Sequence, residues 1–419
     1  MKIFAVILTA YTACALLAAC SLASVGEPRS VLADDIKKTD ADALIAAVKE
    51  LSADGVPDNH YDIAGLETVI AAGETGLIRA RAETLFDRVA AEMRDGLTSR
   101  DARLNWRMDE AAPDKAAMAD LKQHAFNGNA FAEAFSSLAP KHKQYAFLKA
   151  ALASQALTAE EAALLRLNMD RWRWMPDDLG GDYILVNVPA FELTLVRDRK
   201  VVARRRVVTG SPKLPTPQMQ ALVTGVIFNP TWFVPPSIVR ESVGALIKNN
   251  PDRAQQLGYY VGDDGNVRQK PGPANALGQM KLVMPNPYSV FLHDTPAKDA
   301  FERDNRALSH GCIRVEGATG FARTLLGDAV SDDDFKKIMS GRSPVEIELE
   351  KPLPVYVGYF TAVADETGRI AFYPDVYGLD APLLAQFGGA GKDIADSIGT
   401  LIEESCPESI SEASLPDEL

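Results

Sequence analysis

Tyr183-Ile184-Leu185-Val186-Asn187-Val188-Pro189 is a β-branched run closed by a proline, and Phe191-Glu192-Leu193-Thr194-Leu195 then alternates apolar with polar side chains. Successive strand side chains point to opposite faces of a sheet, so the first run reads as a buried strand and the second as a strand with one wet face. Arg197-Asp198-Arg199-Lys200 makes a polar hairpin tip, after which Val201 to Val208 returns as the partner strand. Val223 to Phe228, Ser289 to Leu292 and Val345 to Leu349 repeat the apolar texture, and Val355 to Phe360 with Ile370 to Tyr373 reads as a hairpin. A mostly antiparallel, β-rich domain is therefore expected over 171–380, opening at the change of texture around Trp172-Arg173-Trp174. Those two tryptophans read as core anchors between domains.

Upstream the apolar period lengthens. Thr39-Asp40 precedes Ala43, Leu44, Ala47, Val48 and Leu51, a cap followed by a helical stripe. Ile78, Leu85, Phe86, Val89 and Met93 repeat the stripe, as do Tyr145, Leu148 and Leu152, and then Ala162 to Asp170. A helical domain over 34–170 follows. Its His60, His124 and His142 lack the spacing of metal ligands. Within the β-rich part, the strand rhythm breaks between Pro236 and Met284: Ser237 opens a short helix, and Gly- and Pro-rich loops pass through Gly272 and Gly278. An insertion inside a sheet domain commonly covers a site, so 236–284 is expected to be a lid. Over 381–419, a helix from about Lys392 to Glu404 and an acidic tail are expected.

A chain of 419 residues exceeds one ordinary domain of roughly 100 to 200 residues, and multidomain organisation is expected. The net charge of −13 and pI near 5.0 argue against nucleic acid or an anionic membrane surface as partner. At the amino terminus, Lys2 precedes an apolar stretch from Ile3 to Ala19, the pattern of a secretory signal. It ends in Leu17-Ala18-Ala19-Cys20, which resembles a bacterial lipobox over 1–20 in which Cys20 takes a lipid. Residues 21–33 then read as a tether, and Ser21 after the cysteine resembles the sorting signal for the outer membrane. An ordinary signal cleavage nearby is the alternative. Of four cysteines, Cys14 and Cys20 lie in this leader, so Cys312 and Cys406 remain for the folded part. A disulfide between them is one reading, and a reactive thiol the other.

Ser309-His310-Gly311-Cys312-Ile313-Arg314-Val315 argues for the thiol. Cationic neighbours favour thiolate, the form that attacks carbonyls, and Gly311 lets the backbone turn sharply. Phe291-Leu292-His293-Asp294-Thr295-Pro296 ends a strand with a second histidine, a rigid platform for a general base. Zinc needs a fourth ligand that this pattern does not supply.

These motifs resemble the L,D-transpeptidase family with the YkuD-type catalytic domain, in which a histidine upstream precedes a Ser-His-Gly-Cys string. Arg171-Trp172-Arg173, Val186-Asn187-Val188-Pro189, Thr216-Pro217, Phe228-Asn229-Pro230-Thr231-Trp232, Pro271-Gly272-Pro273-Ala274-Asn275-Ala276-Leu277-Gly278 and His293-Asp294-Thr295-Pro296 are similar to its YcbB-like branch. The helical part resembles that branch's scaffold domain, while its peptidoglycan-binding repeat has no counterpart between the two. The resemblance implies Cys312 as nucleophile and His293 as base, with His310 and Gly311 in the same catalytic site and the Gly311 and Cys312 amides as oxyanion donors. Arg314, Asn229, Trp232, Ser309 and Asp294 are the candidate substrate-side residues, with other readings open: Arg314 holding the cysteine loop, Asp294 shaping its loop or orienting the imidazole, and Asn229 and Trp232 packing at strand ends. The implied reaction forms 3-3 cross-links between peptidoglycan stem peptides, donor and acceptor, through a Cys312 thioester with release of D-Ala and without metal or organic cofactor. Carbapenems are the implied covalent inhibitors; the location expected from the leader and lipobox is the periplasm, with a lipid anchor to the outer membrane. Hydrolysis of the same thioester, as an L,D-carboxypeptidase or endopeptidase, and a non-catalytic wall-binding lipoprotein are the alternatives.

Overall fold

The computed structural model describes residues 38–109 and 112–387. The signal and lipobox with Cys20, the tether, the helix expected from Lys392 and Cys406 lie outside the described residues.

The first half is helical, through Lys38–Glu50, Ile63–Ala72, Thr75–Asp95, Lys115–Gly128, Phe131–Ser137, Lys143–Ser154 and Ala159–Trp174. The expected stripes are the buried faces: Leu44, Ala47 and Val48 on the first helix, and Ile78, Leu85, Phe86, Val89 and Met93 on the third. Thr158 and Glu161 form a reciprocal capping box that starts the last of these helices. That helix runs through the domain boundary expected at 170/171 and stops only at Met175, which is extended (ψ 156°) because Pro176 follows it. Tyr145, Leu148, Leu165 and Trp172 share a buried cluster with Tyr183, Val196, Tyr356 and Phe360. Helices and sheet are thus joined by a common core.

The strands are β1 (Tyr183–Asn187), β2 (Glu192–Arg197), β3 (Lys200–Gly210), β4 (Met219–Phe228), β5 (Trp232–Phe233), β6 (Tyr259–Val261), β7 (Val267–Gln269), β8 (Met280–Val283), β9 (Leu292–His293), β10 (Ala307–Ser309), β11 (Ile313–Val315), β12 (Val345–Gly358), β13 (Ala362–Ala364) and β14 (Ile370–Phe372). A nine-stranded sheet runs β10-β3-β11-β9-β8-β4-β12-β1-β2, and β2 pairs again with β3, so the ladder closes on itself. It is mixed: β1–β12, β9–β11 and β3–β10 are parallel, the other pairs antiparallel. The β2–β3 tip holds Asp198 (φ 47°) and Arg199 (φ 61°) in the left-handed region that a two-residue hairpin loop requires.

Three expectations change. Val345 to Leu349 and Val355 to Phe360 do not form separate units, because β12 runs unbroken from Val345 to Gly358 with an irregularity between Glu348 and Leu353, where Pro352 cannot donate to a ladder. The hairpin is β13 with β14. Of the strand expected at Ser289 to Leu292, only Leu292 belongs, since Ser289 has φ 55° and turns the chain. Lastly, the insertion expected over 236–284 stops short of Met280. β8 lies between β4 and β9 in the large sheet, with Met280, Leu282 and Met284 in its core. The insertion instead has its own three-stranded sheet, β5-β7-β6, which draws in Trp232 and Phe233. Its helical part comprises Pro236–Ile238, a π-helical turn at Val239–Val243, Gly244–Asn249 and Pro251–Gln256. No described helix is long and apolar enough to cross a membrane.

Candidate active site

Strand alternation decides which side of the closed sheet carries chemistry. Val226, Leu282, Leu292 and Ile313 point into the core. Their alternates, Ile227, Lys281, His293 and Arg314, lie in register with one another across β4, β8, β9 and β11 on the opposite face. His293 therefore stands between two cations in a single cross-strand row.

Cys312 is the residue before β11, at the end of a loop braced by Ser309 from within and by Thr216 from outside. Ser309 Oγ donates to the Cys312 carbonyl (2.5 Å) and accepts from the Gly311 amide (3.1 Å). Gly311 has φ 104°, a conformation in which a side chain would be strained. Thr216 Oγ1, buried, donates to the Gly311 carbonyl at 2.9 Å and accepts from the Gly210 amide at 2.8 Å. Gly210 must be glycine, since a Cβ there would come within 2.3 Å of the Leu214 carbonyl. The sulfur lies 3.7 Å from the Ser289 carbonyl, so the turn that ends the expected strand at Ser289 serves the thiol.

His293 is buried, and its Nδ1 is 2.5 Å from the Asp294 carbonyl. A carbonyl only accepts, so Nδ1 carries the proton and Nε2 presents a lone pair. Burial, with Arg314 and Lys281 adding to it against the Asp294 carbonyl, pushes the imidazole pKa down to about 4. Burial also pushes the Cys312 thiol up, opposed by the Phe291 amide, Lys281 and Arg314. At neutral pH the pair is thus thiol and neutral imidazole. Lys281 Nζ sits 3.6 Å from the Phe291 ring centre. Its own pKa is lowered by burial, with Cys312 and Glu346 drawing it back up. Arg314 is likewise lowered by burial and raised by Cys312. Neither cation forms an ion pair among the described residues, so both are available to a negative charge at the sulfur or on a ligand.

Residues 181–347 match the YkuD family, the L,D-transpeptidase catalytic domain, and residues 32–152 match the Scaffold domain family. This chain carries a YkuD L,D-transpeptidase catalytic domain behind a Scaffold domain. Over 280 residues it is 31% identical to a Haemophilus influenzae protein provisionally named an L,D-transpeptidase, covering 61% of this chain and 56% of that one. The chain thus spans little more than half the length of that relative. Among solved structures, it is similar to the catalytic domain of the Enterococcus faecium L,D-transpeptidase acylated by ertapenem, at 18% identity and a TM-score of 0.23, covering 42% of this chain and 96% of that one. An L,D-transpeptidase from Mycobacterium smegmatis gives 14% identity and a TM-score of 0.22, covering 42% and 58%.

Within the catalytic domain, several expected site residues are engaged by neighbouring protein groups. His310 is exposed and its Nε2 meets Glu241 of the inserted segment at 3.0 Å. The Gly311 amide, expected to face an oxyanion, is taken by Ser309, and Ser309 itself is buried and braces the loop. Asn229 is buried at φ 51° with its amide on the Ile338 carbonyl, which makes it a strand-end brace. Trp232 packs in the small core of the insertion with Val234, Val243 and Val267. Asp294 orients the imidazole through its carbonyl, while its carboxylate takes the Gln279 amide at 2.9 Å and Lys298. Sequence reasoning assigns no role to Lys281 or Thr216. A lone lysine in the apolar run Met280-Lys281-Leu282-Val283-Met284 was the available signal for the first. Thr216 had only the resemblance of Thr216-Pro217.

Proposed function

We propose that this protein is a cysteine-dependent L,D-transpeptidase that forms 3-3 cross-links between peptidoglycan stem peptides. The observation that carries the reading is the cross-strand row of Lys281, His293 and Arg314 beside Cys312, inside the family's catalytic domain. It offers a base with one free nitrogen and two unpaired cations to draw a proton off the sulfur as it attacks. In the first step, Cys312 Sγ bonds to the carbonyl carbon of the third residue of a donor tetrapeptide, and His293 Nε2 takes the thiol proton. The bond to the terminal D-Ala breaks, and the proton leaves on its amine. In the second step, the side-chain amine of an acceptor's third residue attacks the thioester, and the thiol is restored. With Gly311 committed to Ser309, the Cys312 amide is the loop's candidate oxyanion donor.

Incubating purified protein with sacculi and weighing the released muropeptides tests this. Wild type should yield 3-3 dimers and Cys312→Ala none. Tetrapeptides trimmed to tripeptides without dimers would replace the transferase reading with a carboxypeptidase. The same thiol should open a carbapenem ring, a strained amide beside a carboxylate that the free cations suit, leaving one drug mass on wild type and none on Cys312→Ala. We also propose, from Leu17-Ala18-Ala19-Cys20 alone, a lipid anchor at Cys20 in the periplasm. Metabolic palmitate labelling that fails on the wild type would remove it.

A further inference from the structure

A short segment of the scaffold, around Asn105, contacts Thr216, which holds the cysteine loop. Asn105 (φ 62°) lies in the turn after the helical residues Arg100–Ala102, and its Nδ2 donates to the Thr216 carbonyl at 2.8 Å. The surrounding backbone is zipped to the segment between Thr216 and the start of β4. The Gln218 amide donates to the Asn105 carbonyl (3.0 Å), the Arg107 amide to the Gln218 carbonyl (2.7 Å), and Gln218 Nε2 to the Leu104 carbonyl (3.2 Å). Thr216 is wholly buried, and each of its polar groups is used: its amide meets Tyr377 Oη at 3.2 Å, and its hydroxyl bridges Gly210 and Gly311.

The atom that Thr216 holds gives this chain of contacts its meaning. The Gly311 carbonyl and the Cys312 amide belong to one peptide unit, which is planar and trans, so gripping the oxygen aims the N–H in the opposite direction. Gly311, at φ 104°, could otherwise let that plane rotate.

We propose that the scaffold sets the acyl-transfer competence of Cys312 through the relay Asn105 to Thr216 to Gly311, making Asn105 and Thr216 positioning residues for the oxyanion donor. A positioning role of this kind separates two reactions of the same thiol. Alkylation by iodoacetamide displaces iodide at a saturated carbon and develops no oxyanion. Acylation by p-nitrophenyl acetate forms a tetrahedral oxyanion before the thioester forms and nitrophenolate leaves. The full-length protein, with Cys312→Ala as background, should show acylation slowed about tenfold or more in Thr216→Val and about threefold or more in Asn105→Gly, below the about 100-fold cost of deleting an oxyanion donor outright. Alkylation should stay within about twofold in both. Thr216→Ser, which keeps the hydroxyl, should restore acylation. Wild-type acylation in Asn105→Gly would overturn the scaffold's part. Parallel loss of both reactions together with a lowered melting temperature would overturn positioning in favour of simple destabilisation. Neither reagent is a stem peptide, so the relay is judged independently of the transferase reading.

Discussion

Cys312 and His293 are each held in their neutral form by burial, and the cations beside them work against that for the sulfur and with it for the imidazole. The thiolate fraction should therefore grow with pH through and beyond the ordinary thiol range. Iodoacetamide labelling of Cys312 should keep accelerating above pH 8.5, with no plateau near neutrality of the kind a resting thiolate–imidazolium pair produces. Lys281→Met removes one of the two charges that favour thiolate, and should slow labelling at pH 8 by about threefold or more. An unchanged rate would mean that Lys281 does not act on the sulfur. His293→Ala should lower turnover on a tetrapeptide donor by about 100-fold, and His310→Ala far less, since its ring is turned to Glu241. The reverse ranking would exchange their roles. At this scale Cys312 and His293 stand out in the sequence because each lies in its own short contiguous string, Ser309-His310-Gly311-Cys312 and Phe291-Leu292-His293-Asp294. Lys281 does not, because an isolated lysine in a strand acquires meaning only from its neighbours across the sheet.

Between elements, two side-chain contacts of opposite character show where a charged group matters. Glu241 on the π-helical turn meets His310 with both side chains about half exposed. Such pairs contribute about 1 kcal/mol at most. Arg171 on the last scaffold helix meets Asp380 on the helix Asp380–Leu384 at 2.6 Å, both almost wholly buried, with the guanidinium also over the Tyr359 ring. Asp380→Ala would leave a buried cation unpaired and should cost about 3 to 5 kcal/mol. Chemical denaturation should show a loss of that size for Asp380→Ala and almost none for Glu241→Gln. Equal small losses would mean that water reaches Arg171. The Arg171-Trp172-Arg173 string was visible as a motif, but its work was not. Arg171 ties down the C-terminal segment, Trp172 stacks between His142 and Phe360, and Arg173 donates to the Asp54 carbonyl and the Tyr145 hydroxyl.

Over the whole molecule, stability should depend on two imidazoles, the half-buried His142 and the buried His293. His142, stacked 4.1 Å from Trp172, is pushed by burial from 6.5 to about 4, as is His293. The unfolded chain binds protons near pH 6.5 that the folded protein refuses. The stability from keeping these rings neutral is therefore fully present above pH 6.5 and lost as pH falls toward about 4, at up to about 3 kcal/mol for each ring. The melting temperature should be level from pH 7 to 8 and fall steadily from pH 6.5 to 4.5. His142→Phe, which keeps the stacking and loses the titrating ring, should show a shallower fall; an equal slope would assign the effect to carboxylates. The sequence by itself determined the helical first half, the β-rich second half and the cysteine motif, because helical stripes, strand alternation and a contiguous Ser-His-Gly-Cys string are local patterns. Only the tertiary structure decided that β8 belongs to the large sheet, that helices and strands share a core through Trp172, and that Lys281, His293 and Arg314 stand in one row. Those facts depend on which strands pair and in what register, and pairing is set by the burial of residues far apart in the chain.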